Sequence, residues 1–534
     1  MTHPAAADAL RRRARAAAFA FVALGIALRV AAAFPVHKYA ADADCLNCGF
    51  VALQISDGHP KVWLTPRRAG ALECYGHAAI FRLFGVSRDA LAVTPLLSSS
   101  LALVLFAGLS LAWLGPVTGA LSTLLFALPP PAYLFWTYMP NGYPETMLLC
   151  IAVVFAADRV RQTPKDGLRL AILGFVAGLG FWNSIQTLAA TFPALLWLFS
   201  SRRQELQRGR AVGLVATAFL FGALPWIAWN VLVPLGSFRD NFSVLPASGL
   251  RALAENTRYL VAYALPELVS SVDPENGINP PSRVALFLRA PVLVIWTAAA
   301  LFASWRALEA LVKRLRGRKA DSPTELPLLL VALTVCALAV LSGAGQMRGL
   351  TVRYVLPAFL VLPAALALAV AAAARTARAA AVLGAVAVCA VLTFNAFSYF
   401  LPGSVARQLW EKRRDADTEV IAFLSESGIE AVTGDYWVAY PVNFLSSRRI
   451  AGIPFQQDGD FYDIEASLGA RPLRWAVLAQ TRAPLESLIA WTGTSGLLVE
   501  VAYDRWVFIP EGNPEPAPSF LSRFRDARRP GAGP

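Results

Sequence analysis

A series of long apolar runs recurs along most of the chain and constrains its fold more than any other feature. Many of these runs contain roughly 17–25 residues, enough for a helix to cross a bilayer core about 30 Å thick. Only 16% of the 534 residues are charged, against roughly 25% in soluble domains. Backbone groups in lipid need internal hydrogen bonds, and the runs lack the alternation of a transmembrane barrel. The sequence therefore predicts a polytopic α-helical membrane protein.

Basic residues predict the orientation of these helices, because short cytoplasmic loops are enriched in arginine and lysine. Arginines at positions 11, 12, 13 and 15 precede the first run, so we expect a cytoplasmic N-terminus. Every short basic loop falls on that same side when about eleven spans are counted. The expected spans are about Ala16–Phe34, Leu91–Leu114, Val117–Phe135, Tyr143–Ala157, Leu170–Trp182, Thr187–Phe199, Val212–Val233, Val284–Ser304, Leu326–Leu341, Tyr354–Ala374 and Ala379–Phe400.

The chain has a formal net charge of +13, and its bases cluster at the ends of the apolar runs. Bases in those places set the orientation of the helices and contact anionic lipid. No patch combines basic and aromatic residues in the way that nucleic-acid binding requires. We therefore expect membrane lipids, and not nucleic acid, as partners of the basic residues.

The expected transmembrane domain covers residues 1–401 and includes two long outer segments, residues 35–90 and 234–283. From about Pro402 the composition becomes that of a soluble domain. Predicted helices lie in TEVIAFLSESG and DYWVAYPVNFLSS, predicted strands in IEAVTG and RWAVLAQ, and a predicted hairpin in LLVEVAYDRWVFI. This alternation predicts a small extracytoplasmic α/β domain over residues 402–511. Residues 512–534, rich in proline, glycine and arginine, are expected to be disordered.

The first outer segment concentrates acids, bases and histidines beside the membrane. Asp42 and Asp44 follow the first span closely, so the membrane surface holds them at a fixed depth. Carboxylates near a membrane are costly unless they bind a charged group or do proton chemistry. The simpler alternative is a solvated loop with scattered charges. Lys61 lies in the same segment and is a candidate cation for a phosphate.

Three of the six cysteines, Cys45, Cys48 and Cys74, lie in this first segment. A disulfide from Cys74 to either of the other two is possible there, and one thiol would remain unpaired. Asp57, His59, Glu73 and His77 could supply ligands to a divalent metal, but scattered loop residues of this kind generally do not. We therefore expect no required cofactor and assign no metal ligand.

Further polar residues are predicted at the same outer depth. Glu145 follows Pro144, and such a pair often simply begins a helix, with the acid favoured in its first turn. Arg348 and Arg353 precede a late span. Arg353 could be an interface anchor, but a guanidinium at headgroup level also fits a lipid-linked phosphate in bidentate fashion.

Several stretches carry a resemblance to a known family. They are DADCLNCGFVALQISDGHP and RRAGALECYGHAAIFRLFGVS in the first outer segment, LPPPAYLFWTYMPNGYPE after the third span, VRYVLPAFLVLPAALAL at a late span, and GDYWVAYPVNFLSS in the C-terminal region. The chain resembles the GT-C superfamily of membrane glycosyltransferases, near family 39 and the RgtA/B/C/D-like bacterial enzymes. The order and sidedness of the stretches match that superfamily.

This resemblance implies a polyprenyl-phosphate sugar donor, used on the extracytoplasmic side with inversion at the sugar carbon. It also implies a general base in the first outer segment, where Asp44 matches best because it precedes Gly49 at the family's spacing. Many relatives have Glu at the next position, but here it is Cys45, and Asp42 is the alternative base. The expected substrate-binding residues are Lys61, Glu73, Tyr75, Glu145, Arg348, Arg353 and Tyr354.

The expected function is therefore transfer of a hexose or pentose from the lipid-linked donor to a hydroxyl of a lipid, glycan or protein. The expected location is the bacterial inner membrane, with the C-terminal domain in the cell envelope outside it. The main alternative is a transporter or flippase of lipid-linked or small polar substrates. Such proteins usually show related halves and charges near the bilayer centre. This chain shows no repeat, although Arg29 lies inside an apolar run.

Overall fold

The structure is a computed structural model. It describes residues 4–40, 43–64, 69–202, 209–242, 250–271, 283–315, 331–337, 340, 352–400, 405–455, 464, 467–502, 505–512 and 514–526. The chain forms two compact units. One contains residues 1–34 and 94–406, and the other contains residues 35–93 and 407–534. Most of the first outer segment, expected above to belong with the spans, thus shares a unit with the C-terminal part of the chain.

The elements follow one another along the chain. The α-helices are α1 (Pro4–Ala40), α2 (Ala43–Ser56), α3 (Leu72–Phe84), α4 (Arg88–Leu114), α5 (Pro116–Ala127), α6 (Pro131–Trp136), α7 (Tyr143–Gln162), α8 (Gly167–Asn183), α9 (Leu188–Ser201), α10 (Gly209–Gly222), α11 (Leu224–Leu232), α12 (Gly236–Phe242), α13 (Leu250–Tyr259), α14 (Leu265–Ser270), α15 (Arg283–Leu315), α16 (Val352–Val355), α17 (Leu362–Thr376), α18 (Arg378–Phe400), α19 (Val405–Glu426), α20 (Tyr436–Leu445), α21 (Arg482–Thr492) and α22 (Ala517–Asp526). The strands are β1 (Trp63–Leu64), β2 (Ala69–Gly70), β3 (Ala431–Gly434), β4 (Ala451–Pro454), β5 (Pro472–Leu473), β6 (Trp475–Ala479), β7 (Gly496–Ala502), β8 (Arg505–Pro510) and β9 (Glu515–Pro516).

Within the described residues, four helices are long and apolar enough to cross a membrane, and two bent helix pairs raise the number to six. The four span candidates are Asp8–Ala33, Arg88–Leu114, Phe287–Lys313 and Arg378–Ser398. The bent pairs are α10 with α11, at 60°, and residues 352–360 with α17, at 43°. A multi-pass membrane protein is thus confirmed, while the count of eleven spans stays a prediction. Half of the expected span Leu326–Leu341 lies outside the described residues.

The span expected over Val117–Phe135 is interrupted between α5 and α6. Proline cannot donate a backbone hydrogen bond, and three consecutive prolines at 129–131 end the helix here. Freed carbonyls in an apolar setting need other partners. The Arg29 guanidinium, only 1% exposed, donates to Ala127 O at 3.1 Å, and Asn395 Nδ2 donates to Leu128 O at 2.7 Å. The charge inside the first span therefore stabilises a helix break.

Glycines allow α8 and α10 to approach closely. A Cβ added to Gly178 would lie 2.1 Å from Phe219 O, and one added to Gly174 would lie 2.3 Å from Val215 O. Small residues four apart let helix backbones approach in membranes, where packing replaces the hydrophobic driving force. This contact positions the polar turn after α8, which contributes to the site below.

In the second unit, a five-stranded sheet has the order β4-β3-β6-β8-β7. Strands β4, β3 and β6 are parallel, whereas β8 is antiparallel to β6 and β7. The predicted helix and strand at TEVIAFLSESG and IEAVTG are found as α19 and β3, and DYWVAYPVNFLSS forms α20. The predicted hairpin is found as β7 and β8, although its turn at 503–504 lies outside the described residues. Strand β4 and helices α21 and α22 were not predicted, and α22 lies within the segment that was expected to be disordered.

Helices α2 and α3 of the first outer segment share one hydrophobic core with this sheet and α20. Phe50 of α2 packs its ring edge-on against Tyr440 of α20, with ring centroids 5.7 Å apart. Close approach depends on Gly49, because a Cβ there would lie 2.7 Å from Cε2 of Phe444. The acidic start of α2 is therefore held by residues from the far end of the chain.

Candidate functional site

Asp44 lies in the first turn of α2, where the helix dipole stabilises an acidic side chain. Its side chain is half-buried. The hydroxyl of Tyr436 donates a hydrogen bond to Asp44 Oδ1 at 2.9 Å. Asn47 Nδ2 in turn donates to the same tyrosine oxygen at 3.5 Å. The position of the carboxylate is thus fixed by a tyrosine from the C-terminal sheet, whereas Asp42 lies outside the described residues.

Tyr436 reaches this position because α20 begins directly after the parallel strand β3. The carboxyl ends of parallel strands are where α/β sheets commonly place functional side chains. The Tyr436 ring also stacks on Tyr440, one turn further along α20, with centroids 5.6 Å apart. This stacking limits the directions in which its hydroxyl can point.

Two of the expected substrate-binding residues, Lys61 after α2 and Tyr75 of α3, lie close together. Lys61 and Tyr75 are both half-buried. Burial raises the pKa of the Tyr75 hydroxyl, and a hydrogen bond with the Lys61 backbone acts in the opposite direction. Tyr75 therefore stays a neutral hydrogen-bonding group at any physiological pH.

Asp57, just after α2, forms an ion pair with Arg448, which follows α20. The hydrogen bond from Arg448 lowers the pKa of the Asp57 carboxyl, partly opposed by burial. Both side chains are 43% exposed, so the pair is a surface contact of modest strength. It is a second polar link between the first outer segment and the C-terminal region.

Glu73 lies inside the second unit and not on its surface. Cys48 and Cys74 form a disulfide that joins α2 to α3, which is one of the two pairings left open by the sequence. Glu73 is 2% exposed, and its Oε1 lies 3.5 Å from Nε2 of His77, which is fully buried. Its expected role in substrate binding stays a prediction.

In the first unit, Glu145 begins α7 and is buried. Ser98 Oγ of α4 donates to Glu145 Oε1 at 2.7 Å. Asn183, at the end of α8, donates to Thr146 Oγ1 at 2.9 Å and to Gly142 O at 3.3 Å. The start of α7 thus gathers polar groups from three helices. A helix start alone would not require a buried acid with a partner on another helix.

Arg353 of α16 is half-buried among aromatic rings. Its guanidinium carbon lies 5.7 Å from the Trp136 ring centroid and 5.1 Å from that of Tyr354. Nη2 also donates to the Tyr354 hydroxyl at 3.2 Å. Trp136 packs edge-on against Tyr143, the first residue of α7, at 5.8 Å. One aromatic cluster therefore connects Arg353 with the polar start of α7, while Arg348 lies outside the described residues.

Sequence reasoning named Asp44, Glu145 and Arg353 but missed the residues that hold them: Tyr436, Ser98 and Trp136. Tyr436 and Trp136 lie inside stretches that carried the family resemblance, but that resemblance gave neither residue a role. A serine in an apolar helix gives no such signal.

A small apolar cavity of about 50 Å³ also lies in the first unit. Trp113 of α4, Trp197 of α9 and Leu360 contribute to its walls, and Ser110 is its polar exception. Its lining suits a hydrocarbon chain better than a sugar, which needs polar partners.

Comparison with known proteins shows which fold this chain shares. Two solved structures of ArnT from Cupriavidus metallidurans are similar to the chain. The one bound to undecaprenyl phosphate gives a TM-score of 0.60 at 11% identity, covering 92% of this chain and 97% of that one. The apo structure gives 0.56 at 13% identity, covering 95% and 99%. The chain therefore shares the fold of ArnT, a GT-C superfamily glycosyltransferase. The fold that the sequence resemblance implies is thereby confirmed.

A family model matches part of the chain. Residues 74–229 match the family described as dolichyl-phosphate-mannose-protein mannosyltransferase. The matched part includes Glu145, Ser98 and Asn183, so it covers the polar start of α7. No curated protein matches the chain.

Proposed function

We propose that this protein is an inverting membrane glycosyltransferase that transfers a sugar from a polyprenyl-phosphate donor to an acceptor hydroxyl on the extracytoplasmic face. The observation that carries the proposal is the hydrogen bond from Tyr436 to Asp44. It orients a carboxylate at the position that the GT-C motif assigns to the base. The GT-C fold and the undecaprenyl phosphate bound to the similar ArnT structure support the donor class.

Asp44 acts as the general base in this proposal. Its carboxylate takes the proton of the acceptor hydroxyl as the hydroxyl oxygen attacks the anomeric carbon. The bond from that carbon to the phosphate oxygen breaks on the opposite face, so the configuration inverts and polyprenyl phosphate leaves. Positive charge grows at the sugar carbon and negative charge on the phosphate.

Arg353 binds the donor phosphate. Its guanidinium is always charged and has donors suited to two phosphate oxygens. The aromatic rings of Trp136 and Tyr354 limit its rotation and favour a cation between them. An arginine that served only as a membrane-interface anchor would not need such an enclosure.

The transporter alternative loses the feature that most favoured it. Arg29 was the clearest charge within an apolar run, and its guanidinium donates to the backbone of Gly25, Ala127 and Phe126. Its charge therefore has a structural function at a helix break, where a transport role would need it to meet a substrate.

The test is single-turnover transfer by purified protein in detergent, with polyprenyl-phosphate sugar in excess and a panel of acceptors. Asp44→Asn is nearly isosteric and keeps an acceptor for the Tyr436 hydroxyl, so folding and donor binding should persist. Its rate should fall by roughly 10²–10⁴, the usual contribution of a positioned base. Asp42→Asn is the matched control, with a much smaller effect expected.

Two outcomes would contradict the assignment. A normal rate for Asp44→Asn with a large loss for Asp42→Asn would move the base by two residues. Full activity of both variants would show that this segment is not catalytic. Transport cannot be scored in detergent, so a wild-type protein that transfers sugar there separates the two function classes.

A further inference from the structure

A buried cluster of potential metal ligands lies where α2 packs against α3. Cys48 of α2 and Glu73 and His77 of α3 each offer one donor atom, and these three atoms lie within 4.8 Å of one another. All three residues are at most 2% exposed. Glycosyl transfer as proposed above gives no role to Cys48 or His77. The disulfide to Cys74 accounts for the burial of Cys48 but not for the buried Glu73–His77 pair beside it.

Two distances within the cluster, each from a different oxygen of Glu73, are close to those of tetrahedral coordination. Zinc ligands about 2.0–2.3 Å from the ion, at tetrahedral angles, are separated from each other by about 3.3–3.7 Å. Glu73 Oε1 lies 3.5 Å from Nε2 of His77, and Glu73 Oε2 lies 3.7 Å from Sγ of Cys48. Glu73 and His77 are four residues apart on one helix, which places them on the same face.

The charges also suit a divalent cation. A Cys48 thiolate and a Glu73 carboxylate carry two negative charges, and a neutral His77 adds none. A dication neutralises this set, which matters because isolated charges are costly to bury. Thiolate, imidazole and carboxylate are the ligand types that zinc takes in proteins.

We infer that, in the reduced chain, Cys48, Glu73 and His77 bind a zinc-like divalent cation, and that the Cys48–Cys74 disulfide replaces this site in the oxidised chain. The structure shows the oxidised arrangement, with the Cys48 sulfur bonded to Cys74. Reduction by a dithiol supplies two electrons and two protons, giving two thiols and oxidising the dithiol to a disulfide. The Cys48 thiol then releases its proton when it binds the cation.

The disulfide and the bound cation would each join α2 to α3 at the same place. Water takes the fourth position on the cation. Because Asp44 begins the helix that carries Cys48, the alternative links would hold α2 in place before and after oxidation. The site thus provides a folding restraint that does not depend on the disulfide.

Two single substitutions separate the cation site from the disulfide. Cys74→Ser and Cys48→Ser both abolish the disulfide, but only Cys74→Ser keeps the set Cys48, Glu73 and His77. The full-length variants are purified in detergent with a phosphine reductant, equilibrated with zinc and passed through a desalting column. Bound zinc is measured by elemental analysis, and cobalt in place of zinc is followed by its thiolate charge-transfer absorption.

We expect close to one zinc per chain in Cys74→Ser, and an affinity lower by at least about tenfold in Cys48→Ser, since even the loss of a supporting residue costs that much. The cobalt–thiolate band should appear only in Cys74→Ser. Adding His77→Ala to Cys74→Ser should weaken zinc binding by a similar factor. Cys45 is present in every variant, so binding through that thiol alone would be equal in all of them.

The wild-type protein provides a measurement that needs no substitution. It should take up about one zinc per chain after reduction and release it as the disulfide reforms on oxidation. Equal zinc in Cys74→Ser and Cys48→Ser, or no uptake by reduced wild-type protein, would overturn the inference. None of these readouts uses sugar transfer, so the result is independent of the proposed function.

Discussion

Replacing Tyr436 with phenylalanine tests whether this residue of α20 orients the proposed base, Asp44. The substitution removes one hydroxyl and keeps the ring that stacks on Tyr440. A hydrogen bond to a charged group contributes about 1.5–3 kcal/mol. Asp44 is half-buried, so water can replace part of this bond, and about 1–2 kcal/mol should be lost from positioning. At 1.36 kcal/mol per tenfold in rate, the transfer step should slow by about five- to thirtyfold.

The assay is the same single-turnover transfer with donor in excess, together with thermal unfolding of each purified variant. Tyr440→Phe is the matched control, because it removes a hydroxyl from the neighbouring ring of the same helix. We expect little change in rate for the control. In an Asp44→Asn background, Tyr436→Phe should add almost nothing, since the group that it positions is already disabled.

Two results would refute this reasoning. A rate within about twofold of wild type for Tyr436→Phe would show that the bond does not position the base, because twofold corresponds to only about 0.4 kcal/mol. A further large loss in the Asp44→Asn background would show that Tyr436 acts on the reaction by another route. A variant with lowered thermal stability and equal losses for Tyr440→Phe would indicate damage to the fold.

Three further predictions follow from the structure. Arg353→Lys keeps a charge but loses the bidentate fork, so the apparent affinity for donor should weaken in titrations of transfer rate. Arg353→Ala should weaken it more. Unchanged kinetics in Arg353→Lys would leave Arg353 only an anchoring role. Ser427→Cys, in a background without other reactive thiols, should be labelled by an impermeant reagent in cells stripped of their outer barrier; labelling only after permeabilisation would reverse the expected orientation. Asp57→Asn should cost less than about 1 kcal/mol of unfolding free energy near neutral pH, because the pair with Arg448 is exposed. Because the pKa of Asp57 is lowered in the folded state, its carboxylate stabilises the fold above the unfolded-state pKa of about 3.9. This stabilisation is lost as the pH falls through the folded-state pKa. The unfolding free energies of variant and wild type, measured by chemical denaturation, should therefore converge at that pH.

The helices and strands could be predicted to the extent that local patterns determine them. Apolar runs and basic loops gave the helical membrane class, and the alternation after Pro402 gave β3, α20 and the β7–β8 hairpin. The interruption at residues 128–130 could have been read from three successive prolines. The hydrogen bond that satisfies a freed carbonyl at this break could not be predicted. Its donor, Asn395, lies 267 residues away along the chain from Leu128.

The candidate site shows the same limit more sharply. Asp44 and Glu73 are both acids of the first outer segment, so residue type alone does not distinguish their roles. The fold separates them: Asp44 is half-buried and held by Tyr436, whereas Glu73 lies in the interior beside His77 and the disulfide.

That separation depends on a pairing that spans 392 residues of the chain. No local pattern encodes it, because α20 meets α2 only after the parallel strands have placed it and Gly49 has admitted the Phe444 ring. The C-terminal sheet therefore has a direct connection to the proposed chemistry. Its removal would expose the core that it shares with α2 and α3 and would leave the carboxylate of Asp44 without the hydroxyl that orients it.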